Sequence, residues 1–159
     1  MFGPYPMDAK ENMSKQENIA VQKNMGEAVS SGNFDALKLA FDPKVKDHDP
    51  VPGQVAGPQG FIEFFRAFRT AFPDLAVAVD HMVTDDDNVA MAYTITGTHK
   101  GTFQGIAPTD KKIRARGMQI ARFEKGKIVE RWGSSDELGI LKQIGAQVEP
   151  ASAGAGKNF

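Results

Sequence analysis

The periodicity of the chain changes once, at Pro73, and this change constrains the fold more than any other feature. Before Pro73 the apolar residues recur at helical spacing, most clearly in the segment 60–72, GFIEFFRAFRTAF. After it, apolar and polar residues alternate, as they do in half-buried strands. The alternating segments are LAVAVDHMV, VAMAYTITGTH, KKIRARGMQIARFE and KIVERWG. Helices followed by an antiparallel meander predict an α+β fold, a curved sheet with three N-terminal helices on its concave face.

Two shorter helices are predicted ahead of the Phe-rich one. The first starts at Ser14, which forms a capping-box spacing with Glu17, and its apolar stripe contains Ile19, Met25 and Val29. The second is NFDALKLAF, with Asn33 as its N-cap. The following segment, DPKVKDHDPVPGQVAGPQG, is rich in Pro and Gly, so we predict a long loop, and long ordered loops are often functional.

The length of 159 residues fits one domain, which we place at 14–147 between a flexible arm, 1–13, and a flexible tail, 148–159. The net charge of −1 argues against a nucleic-acid partner, and the lack of cysteine excludes disulfides and thiol nucleophiles. The three histidines have no zinc-site spacing, so no metal is predicted. No apolar stretch is long enough to span a membrane and no signal peptide is visible, so we expect a cytoplasmic protein without a membrane partner.

Three segments resemble a known family. GTHKGTFQGIAPTDKKI, QIARFEKGKIVERW and LKQIG resemble the SnoaL-like polyketide cyclases, also described as predicted ester cyclases. The resemblance implies the cone of the nuclear transport factor 2-like, or cystatin-like, fold. It further implies cofactor-free aldol closure of an aromatic polyketide ester, in which a base removes a proton next to a carbonyl and an acid protonates the new alkoxide.

The resemblance also implies where the catalytic groups would lie. The family's catalytic aspartate falls on Gly133 and its helper histidine falls on Gln119. Glycine transfers no proton, and a glutamine amide only forms hydrogen bonds. The fold is therefore expected to follow the family, while the acid/base is reassigned to Asp136 or to the loop sequence Asp47-His48-Asp49.

The candidate catalytic residues are His48, His99 and Asp136, and each has a structural alternative. Asp47 and Asp49 would raise the pKa of His48 if it lined the pocket, but the segment fits an exposed polar loop equally well. His99 continues the inward parity of its strand, or it stabilises the GTHKG turn. Asp136 reaches the mouth of the pocket through a bulge, or it caps the following helix.

The candidate substrate-binding residues are Tyr93, Gln119, Arg131, Trp132 and Phe65. Gln119 shares its strand face with small residues, which leaves space for a ligand. Arg131 binds a carboxylate or enolate if it faces inward, and is a surface charge if it faces outward. Tyr93 polarises a carbonyl or bonds a helix carbonyl in the core. Trp132 is a core, interface or ligand-stacking ring, and the Phe face of the third helix forms core and pocket wall together.

Three functions fit these observations. The first is a cyclase or isomerase acting on a small apolar carbonyl compound by acid/base chemistry. The second is a binding protein that uses the same pocket without turnover. The third is an interaction module. Under all three the outer sheet face, rich in Thr and Ala, is expected to pair with a second copy in a homodimer or higher homo-oligomer.

Overall fold

The structure, a computed structural model, describes residues 9–147. The elements follow one another as α1 (Ala9–Ser31), α2 (Phe34–Leu39), β1 (Phe41–Asp47), α3 (Pro58–Ala71), β2 (Ala76–Thr84), β3 (Asn88–Thr98), β4 (Lys112–Glu124), β5 (Lys127–Ser135) and α4 (Glu137–Ile144). The predicted tail and the first eight residues of the predicted arm lie outside the described residues. No described helix is long and apolar enough to cross a membrane.

The five strands form one curved sheet in the order β1-β5-β4-β3-β2. Neighbouring strands are antiparallel except β1, which runs parallel to β5. The predicted α+β architecture is therefore confirmed, with one correction. The segment predicted as a long loop begins with an edge strand, because Pro43 does not disturb a strand that is paired on one side only.

Helix α1 differs from its prediction at its start and on its buried face. It begins at Ala9, so Ser14 lies inside the helix and no capping box forms there. Its buried stripe includes Asn18, Gln22, Met25 and Val29, whereas Ile19 is half-buried. The prediction for α2 is confirmed, because the Asn33 side chain accepts a hydrogen bond from the backbone N–H of Ala36 at 3.1 Å.

Helix α3 brings the aromatic residues into the core between the helices and the sheet. Phe61 and Phe68 are buried, and Phe61 stacks on Phe41 of β1 with the ring centroids 4.3 Å apart. Phe64 is exposed and Phe65 is half-buried. Along β4 the burial alternates strictly from Lys112 to Ala121, which defines a concave, helix-covered face and an exposed outer face.

Candidate functional site

Polar side chains lie on three successive rungs of the concave face, where strands β3, β4 and β5 run side by side. The rungs are Val89–Ala121–Arg131, Met91–Gln119–Gly133 and Tyr93–Gly117–Ser135. Residues two apart on one strand face are about 7 Å apart, so the three rungs together form one contiguous patch of the concave face. The β4 residues flanking Gln119 on this face, Gly117 and Ala121, are both small.

The first rung is extended by a carboxylate from β1. Asp47 is the register partner of Arg131, and the Arg131 Nη1 lies 3.3 Å from the Asp47 Oδ1. The Asp47 side chain is 7% exposed, and it also accepts bonds from Gln54 Nε2 at 2.9 Å and the Asp49 backbone N–H at 3.1 Å. Of the two orientations left open by the sequence, Arg131 therefore adopts the inward one, where Asp47 orients its guanidinium.

The second rung contains Gly133, and two groups make use of the missing side chain. A Cβ at this position would lie 2.5 Å from the Arg131 Nη2, so the glycine provides the room that the guanidinium occupies. The backbone N–H of Gly133 donates to the Asp49 Oδ2 at 2.9 Å. A carboxylate from the segment after β1 is thus held at strand position 133.

The third rung is closed by a hydrogen bond between hydroxyls. The Tyr93 Oη and the Ser135 Oγ are 3.0 Å apart, across the intervening Gly117. A Cβ on Gly117 would lie 2.3 Å from the Tyr93 Cζ, so only glycine allows the ring to cross β4. Tyr93 is buried, but its hydroxyl bonds Ser135 rather than a helix carbonyl.

Two glutamines place amide groups in the buried interior. Gln119 on the second rung is 9% exposed, and its Nε2 has no hydrogen-bond partner within residues 9–147. Gln22 on α1 is 1% exposed, and both its Oε1 and its Nε2 have no partner in that range. Gln22 was missed by the sequence analysis. Its spacing of four residues from the polar Asn18 on the same helix face was the available signal.

His48 and Trp132 lie together on the opposite, outer face of the sheet. Their rings are stacked with centroids 4.3 Å apart, and the His48 Nε2 is 3.1 Å from the Glu130 Oε1. Arg122 also bonds Glu130, and together with His48 it lowers the pKa of that carboxyl, Arg122 being the larger cause. The structure therefore separates His48 and Trp132 from Arg131, Gln119 and Tyr93.

His99 is buried, as its inward parity suggests, but at a distance from the three rungs. It lies six residues beyond Tyr93, which is about 20 Å along an extended strand. Its Nδ1 is 3.0 Å from the Thr109 Oγ1, its ring packs against Phe72, and its Nε2 has no partner in the described part of the chain. His99 thus connects Phe72 of the core to Thr109 in the loop before β4.

Asp136 and Phe65 have structural contacts. The Asp136 side chain accepts from the Gly139 backbone N–H at 2.8 Å and caps α4, which corresponds to the structural alternative of the two that the sequence allowed. Phe65 is half-buried and meets Phe64 edge to face, with the ring centroids 5.2 Å apart. The structure therefore brings Tyr93, Gln119 and Arg131 together with Asp47 and Asp49 of the predicted loop sequence, separates His48 from them, and adds Ser135.

A comparison with models of protein families decides the relationship of this chain. The model described as SnoaL-like polyketide cyclase matches residues 19–144, which is most of the sequence. The chain belongs to the SnoaL-like polyketide cyclase family. No curated protein sequence matches it.

Solved structures share the fold of this SnoaL-like chain. TsrD from Streptomyces laurentii has a TM-score of 0.75 at 20% identity, covering 89% of this chain and 99% of its own. IdmH from Streptomyces antibioticus, provisionally described as a polyketide cyclase, has 0.73 at 26%, with 81% and 99% covered. AclR from Streptomyces galilaeus, provisionally described as a hydroxylase, has 0.73 at 26%, with 83% and 98% covered. Two neighbours of equal similarity thus carry descriptions of different reactions.

Proposed function

We propose that this SnoaL-like protein is a cofactor-independent cyclase or isomerase of a small apolar carbonyl compound, with Asp49 as its proton acceptor. The observation that carries the proposal is the bond from the Gly133 N–H to the Asp49 Oδ2 at 2.9 Å. Resemblance to the cyclases implies an aspartate at strand position 133. Here the Arg131 guanidinium fills the side-chain space at Gly133, and the Asp49 carboxylate bonds the backbone N–H of the same residue, so we assign the base to Asp49.

The neighbouring groups suit the charge that such a reaction develops. Asp49 takes the α-proton of the substrate, and the C–H electron pair becomes part of an enolate. The Arg131 guanidinium and the Gln119 amide N–H can stabilise the enolate oxygen. When the enolate carbon attacks a second carbonyl, the new C–C bond leaves an alkoxide, which takes the proton back from Asp49.

Asp47 and Asp49 are expected to have different roles. The Asp47 carboxylate accepts bonds from three donors and is almost fully buried, so we assign it the positioning of Arg131. Asp49 is exposed, and its Oδ1 has no hydrogen-bond partner among the described residues. A carboxylate with one anchored oxygen and one open oxygen suits proton transfer to a bound substrate.

The test measures proton abstraction directly and needs no knowledge of the natural substrate. Two carbonyl compounds with acidic α-protons, 2-tetralone and methyl benzoylacetate, are incubated in D₂O, and loss of the α-proton signal is followed by NMR. We expect the protein to accelerate exchange over buffer, and Asp49→Asn to reduce the acceleration by about 10²-fold or more. Asparagine still accepts the bond from Gly133, so the substitution removes the base and keeps the anchor.

The matched control is Asp136→Asn, which changes a carboxylate at the α4 cap. Because an asparagine also caps helices, we expect its exchange rate to remain within about twofold of the unmodified protein. Catalytic roles of His48 and His99 stay predictions, and His48→Gln and His99→Gln enter the same assay. Loss of exchange in Asp136→Asn or His99→Gln with normal exchange in Asp49→Asn would overturn the assignment of the base.

The second candidate function is binding without turnover in the same place. The observation that favours it is that the polar side chains of the three rungs are a guanidinium, an amide and two hydroxyls, with no histidine among them. In that case calorimetry would detect 2-tetralone binding, while exchange would match buffer alone.

We also propose a second copy of the chain as the partner of the outer sheet face. Met118, Ile120 and Val83 are 68%, 45% and 55% exposed on this face. Ile120, Val83 and Trp132 line a shallow groove of about 700 Å³. An exposed apolar patch on a sheet is favourable to cover, and the same patch on a second copy has matching chemistry. The cytoplasmic location stays a prediction.

A further inference from the structure

We propose that Gln22 of α1 is a ligand-recognising residue, which acts together with Gln119 to select a neutral ligand bearing one carbonyl and one hydroxyl group. The inference rests on the proposed function only in placing the ligand on the concave face. It assigns a specificity role to a helix residue, and it names the polar groups that the ligand must present.

The buried amides of Gln22 and Gln119 destabilise the free protein. A buried polar group without a partner destabilises a protein, since it has lost its bonds to water and gained none. Gln22 is 1% exposed with both amide atoms unpartnered within residues 9–147, and Gln119 is 9% exposed with its Nε2 unpartnered. The His99 Nε2 is also buried and unpartnered in this range, and each such group calls for an explanation that the contacts of the free chain do not supply.

Gln22 and Gln119 lie on facing elements, the helix α1 and the sheet. Helix α1 packs on β2 and β3, and its buried stripe faces the sheet. Gln22 lies on that stripe, so its amide enters the interior from the helix side. Gln119 enters from the sheet side, where the cross-strand neighbours Met91 and Gly133 offer it no polar atom of a side chain. The two amides thus enter the interior between α1 and the sheet from opposite sides, and the proposed ligand lies between them.

The unpartnered amide atoms determine which ligand groups could bond to them. An amide Nε2 donates hydrogen bonds, and an amide Oε1 accepts them. The Gln119 Nε2 calls for an acceptor, for which a ligand carbonyl is suited. Gln22 presents a donor and an acceptor together, for which a hydroxyl is suited because it can accept and donate at once. Both amides are uncharged, so a charged ligand buried between them would have no charged partner, and its burial would be costly.

The first experiment is thermal unfolding without ligand. Methionine has nearly the size and helix propensity of glutamine but no unsatisfied polar atoms. We expect Gln22→Met and Gln119→Met each to raise the Tm by about 3 °C or more. The matched control is Gln143→Met. The Gln143 amide bonds the Arg114 backbone N–H and carbonyl and the Gly139 carbonyl, so its loss should lower the Tm.

The second experiment is calorimetry with three probes of one ring size, 4-hydroxy-1-tetralone, 1-tetralone and tetralin. We expect affinity to fall in that order, and Gln22→Met to weaken binding of the hydroxy-ketone about tenfold while leaving 1-tetralone within about twofold. Gln119→Met should weaken both ketones. A rise in Tm with reduced hydroxy-ketone affinity supports the inference.

Two results would overturn the inference. A lowered Tm for Gln22→Met would mean that its amide stabilises the free protein. A hydroxy-ketone affinity of the Gln22→Met protein equal to that of the unmodified protein would mean that Gln22 does not contact the ligand. Neither result depends on proton exchange by Asp49, so a failure of this inference and a failure of the proposed catalysis are separately visible.

Discussion

The guanidinium of Arg131 occupies the space that a side chain at position 133 would fill. A Cβ on Gly133 would lie 2.5 Å from the Arg131 Nη2 and 2.7 Å from its Cζ. The two positions are thus coupled, since the inward arginine requires the glycine two residues further along β5. A guanidinium therefore fills the side-chain space at position 133, and the carboxylate of Asp49, from the segment after β1, bonds the backbone N–H there.

Gly133→Ala should move Arg131 at little cost in stability. The clashing atoms belong to the end of a long, flexible side chain, which can swing away, so we expect the free energy of unfolding to fall by less than about 1 kcal/mol. The new position should break the 3.3 Å contact with Asp47 and shift the NMR signal of the Arg131 Nε–H. Urea unfolding and that NMR signal together test the coupling.

The control for this substitution is the pair Arg131→Met and Arg131→Met/Gly133→Ala. Without the guanidinium the alanine has no clash, so adding Gly133→Ala to Arg131→Met should not lower the free energy of unfolding any further. An unchanged Arg131 signal in Gly133→Ala would refute the coupling.

Gly117→Ala should be far more destabilising than Gly133→Ala. Its Cβ would lie 2.3 Å from the Tyr93 Cζ and 2.5 Å from the Oη, and this ring is buried and held by Ser135. A ring packed in the core has no free direction to move, so we expect a loss of about 2–3 kcal/mol in urea unfolding.

Gly26→Ala serves as the matched control for Gly117→Ala. Gly26 lies inside α1, and a Cβ there would have no atom within 4 Å. Because alanine is the better helix former, this variant should gain about 0.5–1 kcal/mol. Equal effects of the two substitutions would contradict the packing argument.

The parity of the strands predicted part of the candidate site from sequence alone. Alternation along β3 and β4 correctly places Tyr93 and Gln119 on the concave face, because a residue's face in a regular strand depends only on its neighbours in sequence. The same rule correctly directs His99 inward. Inward parity alone does not place a residue at the site, because His99 lies six residues, or about 20 Å of extended strand, beyond Tyr93.

The remainder of the site depends on contacts that no local pattern contains. The face on which His48 lies follows from the parallel pairing of β1 with β5, and a short edge strand containing Pro43 has no clear alternation. The approach of Asp49 to Gly133 joins residues 84 positions apart. The buried Gln22 breaks the rule that core positions are apolar, and deviations of this kind are typical of functional positions.

The Glu130 carboxyl on the outer face predicts a dependence of stability on pH. Its bonds to Arg122 and His48 lower its pKa below the ordinary value of 4.5. A carboxyl whose pKa is lowered by folding stabilises the folded state above its unfolded pKa, and this contribution is lost as the pH falls through the folded pKa. We therefore expect the unfolding free energy to decrease below about pH 4.5.

Glu130→Gln isolates this contribution. Urea midpoints of the variant and the unmodified protein are compared at pH 6 and pH 3. The variant should be less stable at pH 6, and the difference should shrink as the pH falls through the lowered pKa of the folded Glu130 carboxyl. A difference that stays constant between the two pH values would show that Glu130 stabilises the sheet through packing rather than through its charge.

Met118→Glu should convert the protein to a monomer if the outer face pairs with a second copy. The Met118 side chain is 68% exposed in the single chain, beside the exposed Ile120 on the same strand face. A charge buried between two copies would cost several kcal/mol without a partner, whereas on a free surface it costs little. Leu39→Glu is the matched control, since Leu39 is also 68% exposed but is the last residue of helix α2 and not part of the sheet. Sedimentation velocity should then give a dimer for the unmodified protein and Leu39→Glu, and a monomer for Met118→Glu. A monomeric unmodified protein would exclude the pairing.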